Sequence, residues 1–311
     1  MLKMLERIMP NTSKPRRQQP RLDPNRGANP PEMIDLVDPS WILKAVGGML
    51  ALGILCAYLT LCVLFHYNQW QLVLHPSRSV TATPASLNMP FTEVHFGVDG
   101  SGEPQLDGWW IPSDTTNSAT ALMLHGADGS MANVLPAASA FHQLHLNVLL
   151  FDYRGYGRSS GAHPTQLTMQ QDAHTALDYL LNTQHVHQDR LTVYAHDLGA
   201  SLALQLCATS QNQCSSLILD SPDGDLLARA SADTRAKIVP TSLLFHERFP
   251  LAGPLQSSAM PKLLISYTAG SAPQILEEAH DPKMLAELKT GDTSAYLTTV
   301  RRFLDEYTAR E

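Results

Sequence analysis

Charge is scarce in this 311-residue chain: only 16% of residues are Asp, Glu, Lys or Arg, and the net charge is −7. Basic residues in particular thin out after Lys44, leaving 14 Lys and Arg against 24 Asp and Glu for the rest of the sequence. An acidic body of this kind argues against nucleic acid as the main partner. Cysteines number four, and two of them, Cys56 and Cys62, fall in an apolar run. The other two, Cys207 and Cys214, lie seven positions apart; a disulfide and a pair of small buried thiols are both open readings. No internal repeat is present.

Charge is absent altogether from Ala45 to Phe65, "AVGGMLALGILCAYLTLCVLF". At 1.5 Å per residue such a helix spans about 32 Å, enough to cross a bilayer core. Trp41, Tyr67 and Trp70 stand where interfacial aromatics are usual. A polar leader of more than 40 residues is too long for a signal-peptide n-region, and no small-x-small cleavage site follows, so residues 43–66 are read as a retained anchor. Arg16, Arg17, Arg21, Arg26 and Lys44 precede the span and the first basic residue after it is Arg78, which places the N-terminus in the cytoplasm and the main domain outside it. Residues 1–40, rich in Pro, Asn, Gln and Arg and without apolar period, are expected to be disordered.

From about residue 71 the pattern changes. "ALMLHG", "NVLLFDY", "LTVYAHD", "SLILDSP" and "KLLISYT" are short, almost wholly apolar runs that fit strands buried on both faces. Helical stretches such as Gln170 to Gln184 alternate with them, and "TEVHFGV" and "LDGWWIP" suggest an antiparallel pair at one edge. The expectation is an α/β fold, a doubly wound and mostly parallel sheet over residues 71–311. The wider gap at about 223–260 suits a small cap.

Taken in order, these pieces resemble the α/β-hydrolases, in particular the membrane-anchored serine esterase, lipase and aminopeptidase-like branch. "LHGADGS" resembles the His-Gly turn after the third strand, "FDYRGYGRSSG" the signature after the fourth, and "YLTTVRRFLDEY" the closing helix. The likeness runs from about Gln71 to Tyr307. It implies that "AHDLGA" is the nucleophile elbow, G-x-S-x-G in the family, with Ala195 and Gly199 keeping the small positions and Asp197 standing where serine belongs. It also aligns the acid position on Gly270 and the histidine position on Thr293. Glycine cannot orient an imidazole, and threonine cannot accept a proton near neutral pH.

Aspartate is the nucleophile in the related epoxide hydrolases and haloalkane dehalogenases, whose G-H-D-W-G-A elbow is similar. The tryptophan is Leu198 here, and the base that would hydrolyse a covalent ester is missing from its place. Asp220, the last residue of "LILD", is a backup acid or a strand-end carboxylate. His280, expected on a helix after the late strand, and His246, on the cap, are weak candidates for the base. His185 and His187 lack a third ligand and are read as solvated rather than metal-binding.

Main-chain amides of Ala127 and Leu198 are expected to form the oxyanion hole, with His125 ordering the turn and His125, Gly126 and His196 lining the pocket. The charge of Asp197 would oppose an anion there, so a neutral or lipid-like ligand is favoured. No cofactor and no metal are expected. The sequence thus reads as a catalytically impaired hydrolase fold used for binding or scaffolding. An active hydrolase of a neutral ester, amide, epoxide or alkyl halide through Asp197 is the alternative.

Overall fold

The computed structural model describes residues 39–98, 100–209, 213–267 and 274–308. Helix α1, Pro39–Asn68, is long and apolar enough to cross a membrane, with a mean hydropathy of 2.3 over its most apolar window. Large side chains along it, among them Met49, Leu50, Leu59 and Leu64, are exposed. The boundary between the chain's two units falls within this helix, after Leu55.

The second unit is built on one eight-stranded sheet. Its strands are β1 (Thr92–Val98), β2 (Pro104–Ile111), β3 (Thr120–Leu124), β4 (Asn147–Phe151), β5 (Leu191–His196), β6 (Ser216–Asp220), β7 (Lys262–Ser266) and β8 (Lys283–Glu287), in the spatial order β8-β7-β6-β5-β3-β4-β2-β1. β1 and β2 pair antiparallel, β2 joins β4 antiparallel, and every other pairing is parallel. Every residue of β3, β6 and β7 is buried. The cause is that both faces are covered: Leu122, Leu124, Val193, Ala195, Leu217 and Leu219 enter one core cluster, and Ala121, Met123, Tyr194 and Ile218 enter the other.

Helices α3 (Gln166–Asp178) and α4 (Gly199–Thr209) cover the first face, with Ala173, Ala176, Leu202 and Leu206 buried against it. Helices α2 (Leu135–Gln143) and α9 (Thr293–Tyr307) cover the second. The amphipathic stripe of α9 is Tyr296, Val300, Phe303 and Leu304, and its N-cap Asp292 accepts a hydrogen bond from the Ala295 amide at 3.0 Å. The helix expected over Gln170–Gln184 in fact starts at Gln166. Thr165 and Thr168 cap its N-terminus reciprocally, and it passes at Tyr179–Thr183 into a wider π-type turn.

Residues 223–260 carry three short α-helices, α5 (Leu227–Ala232), α6 (Thr241–Leu244) and α7 (Ala252–Ser257), and a 3-10 turn at Thr234–Ala236. The segment is tied down through Gln166, whose side chain accepts from the Phe249 amide at 2.9 Å, and through Gln69, which accepts from the His246 amide at 2.6 Å. Cys207 and Cys214 are buried free thiols, and burial pushes the Cys207 thiol well up.

Candidate active site

β5 runs into α4 through a turn of two residues, and Asp197 sits in that turn with φ +53. A non-glycine residue held in the left-handed region costs of order 1–3 kcal/mol and persists only where its surroundings fix it. Here the main chain is fixed on both sides: the Asp197 amide donates to Asp220 O at 3.0 Å, and Asp197 O accepts from Asp223 N and Ala200 N. Gly199 shows why small residues flank the turn. A Cβ on it would lie 2.7 Å from Leu124 O and 2.8 Å from His125 O, since α4 starts directly against the end of β3.

The elbow carboxylate turns toward the loop after β3. Asp197 Oδ2 accepts a hydrogen bond from the Ala127 amide at 3.1 Å. Gly126 permits this approach, because a Cβ there would stand 2.6 Å from the same oxygen. Ala127 is in turn held by Tyr156, whose hydroxyl donates to Ala127 O at 2.8 Å. Leu198, on the other side of Asp197, is buried.

Beneath this loop lies a pair of buried titratable groups. His125 is wholly buried between the rings of Tyr153 and Tyr156, its Nδ1 lies 2.9 Å from Gly126 O, and its Nε2 lies 3.6 Å from Asp152 Oδ1. Burial lowers the His125 pKa to about 4 and raises that of Asp152 to about 7, so both groups favour their neutral forms. Asp152 also accepts from the Met131 amide at 2.6 Å. His125 therefore braces the loop from behind and does not line a pocket, which corrects the expectation from sequence: its ring is closed off by two tyrosines.

The signature that follows β4 is a scaffold for the same loop system. Arg154 forms a two-point bond to Asp172 on α3, through its Nε at 2.6 Å and its amide at 2.8 Å. Arg158 bridges Asp107 and Glu93 across β1 and β2. Gly157, at φ +43, lies so close to Asp152 that a Cβ would overlap Oδ2.

At the end of β6, Asp220 is nearly buried and receives three hydroxyls: Tyr194 at 3.0 Å, Ser221 at 3.2 Å and Tyr267 at 3.4 Å. The strand register sets His196 opposite Asp220, with Nδ1 4.0 Å from Oδ1. Burial raises the Asp220 pKa, and His196 and the hydroxyls work against that rise. A cavity of about 280 Å³ opens beside this group, and Asp220, His196 and Thr293 all line it. Thr293 is the first residue of α9 and is exposed.

The remaining sequence candidates are dispersed. Gly270 lies outside the described residues. His280 does not sit on a helix: the short α8 (Gln274–Glu277) ends before it, and it is exposed in the connection to β8, its amide donating to Leu255 O. His246 follows α6 and packs edge-on against His66, with ring centroids 5.1 Å apart. His185 is exposed and His187 pairs with Asp189; among the described residues no group of three or more ligating side chains could hold a metal. Sequence reading passed over Tyr194, Tyr267 and Tyr296, which surround Asp220 or line its cavity. The alternation of Tyr194 and His196 on one face of β5 was the available signal.

Sheet order, elbow and loop positions together define the α/β-hydrolase fold. Residues 122–256 match the family model described as alpha/beta hydrolase fold. Over 165 residues the chain is 30% identical to protein bem46 of Schizosaccharomyces pombe, a match covering 50% of this chain and 54% of that protein, so it spans about half the length of this relative. An uncharacterized protein of Mycobacterium tuberculosis is 29% identical over 254 residues, covering 77% of this chain and 88% of its own. Among solved structures, the Pyrococcus furiosus esterase Pf2001 superposes with a TM-score of 0.59 at 19% identity, covering 76% of this chain and 99% of that one.

Proposed function

We propose that this chain is a membrane-anchored α/β-hydrolase-fold protein whose elbow no longer supports turnover and which acts as a binding or scaffolding module at the cell envelope. The observation that carries this reading is the setting of Asp197. Its carboxylate already engages the Ala127 amide, and among the described residues no histidine hydrogen-bonds or ion-pairs with it. A serine-type reaction then lacks its nucleophile, and an incoming carbonyl oxygen would have to displace a carboxylate from one oxyanion donor. A carboxylate-type reaction lacks the base at Thr293 that would free the enzyme from its ester. Loss of triad members typically costs on the order of 10⁴ to 10⁶ in rate.

The same contact also favours a second reading. A nucleophilic carboxylate needs one oxygen held by the hole while the other attacks, and Asp197 Oδ2 is so placed. Hydrolysis of a neutral ester, amide, epoxide or alkyl halide would then require a non-standard base, for which His196, facing Asp220, is the nearest imidazole to the elbow in sequence.

The test of the first reading is restoration. The triple variant Asp197→Ser, Gly270→Asp, Thr293→His is expected to acquire turnover of activated esters that the unaltered chain lacks. A folded but inert triple variant would count against descent of this site from a working triad.

A further inference from the structure

Asp220 is a carboxylate without a permanent counter-charge. Its partners are the hydroxyls of Tyr194, Tyr267 and Ser221 and the imidazole of His196, and its side chain is 7% exposed. A buried charge is costly unless it is paired. Three hydroxyl donors offset part of that cost without supplying a positive charge.

The cavity beside it has the chemistry of a matching site. One wall is apolar, formed by Val134, Pro136, Ala137 and Ala140 from α2 and the turn before it. Asp220 and His196 line it as well, together with three tyrosines, Tyr194, Tyr267 and Tyr296. The Tyr296 hydroxyl is buried next to the Tyr194 side chain, behind the surface that a ligand could reach. A desolvated carboxylate favours a cation, and as an acceptor it favours one that carries N–H donors. At the rim, Lys289 and the N-cap carboxylate of Asp292 offset one another in charge.

We propose that this cavity is a binding site for a small protonated amine with an apolar body, its ammonium on Asp220 and its body against α2. The proposal rests on the reading of the chain as a binding module and supplies a ligand class for it, at a site separate from the oxyanion loop. No bond is made or broken. A volume of about 280 Å³ admits a body the size of a phenylalkyl group.

The experiment uses the full chain purified in detergent, with 4-phenylbutylamine as probe and 4-phenyl-1-butanol as its neutral isostere, titrated by calorimetry. The amine is expected to bind at least tenfold more tightly than the alcohol. Asp220→Asn should abolish that preference, and Ala137→Leu, which fills the apolar wall, should weaken both probes at least tenfold. Thermal melts establish folding; if Asp220→Asn does not fold, the amine preference and the Ala137→Leu result decide. Equal binding of amine and alcohol, a preference that survives in folded Asp220→Asn, or unchanged affinity in Ala137→Leu would each overturn the proposal. Ester turnover measured on the same preparation separates the two claims, since turnover would refute impaired catalysis while leaving the amine titration to be judged by itself.

Discussion

The Oδ2 atom of Asp197 lies 3.1 Å from the amide nitrogen of Ala127, so the carboxylate of the β5–α4 turn accepts a hydrogen bond from the loop that follows β3. Asparagine preserves both halves of this arrangement, since its side-chain oxygen accepts and the residue tolerates the left-handed backbone. Asp197→Asn is therefore expected to change stability by less than about 1 kcal/mol. Asp197→Val loses the acceptor and places a β-branched residue at φ +53, and should cost roughly 2 kcal/mol or more in chemical denaturation.

The pair His125 and Asp152 gives opposite pH dependences. His125 has a folded pKa of about 4 against an ordinary 6.5, so its contribution is present above the ordinary value and is lost as pH falls toward 4. Asp152 has a folded pKa of about 7 against 3.8, so its contribution is present below about pH 4 and is lost as pH rises to 7. Removing Asp152 as Asn leaves the histidine's slope unopposed. The stability of Asp152→Asn relative to the unaltered chain is expected to rise between pH 4 and 7 by on the order of 2–4 kcal/mol, followed by urea denaturation at several pH values. Parallel pH profiles would contradict the burial of the Asp152 carboxyl.

How much of this was legible in the sequence depended on burial. Strands β3, β5, β6 and β7 are covered on both faces, which leaves the continuous apolar runs that made them readable. β8, "KMLAE", escaped notice because it is an edge strand paired only with β7, and its half-exposed pattern mixes Leu285 with two charges. The turn after β5 was legible in Gly199, whose size the local geometry dictates. The cluster around Asp220 was not, because Tyr194, Tyr267 and Tyr296 come from β5, the end of β7 and α9 and meet only through strand register and helix packing. Nor can a sequence show which way the Asp197 carboxylate turns.

Gly199 separates scaffold from chemistry. Its missing Cβ would press on the carbonyl oxygens of Leu124 and His125, which are main-chain atoms of the β3 end and cannot swing aside. Gly199→Ala is expected to destabilise the fold by roughly 2–4 kcal/mol, read from the midpoint of unfolding. A neutral substitution would mean that α4 is free to shift away from the loop.

The anchor reading makes its own demand. The full chain should remain with membranes after alkaline carbonate extraction, and a variant lacking residues 39–68 should not. Cysteine labelling from the two sides of sealed vesicles is expected to find the N-terminal segment on the cytoplasmic side and the sheet unit on the other, as the distribution of Arg16, Arg17, Arg21, Arg26 and Lys44 implies. The reverse labelling would overturn the orientation.

The central claim, that Asp197 occupies a site no longer competent for turnover, is tested most directly by offering the full chain a panel of activated esters, an epoxide and an alkyl halide, beside Asp197→Asn, with intact-mass detection of adducts. The account predicts no turnover and no adduct from either folded protein. Turnover or a covalent adduct that appears in the unaltered chain and vanishes in Asp197→Asn would contradict it and make Asp197 a working nucleophile.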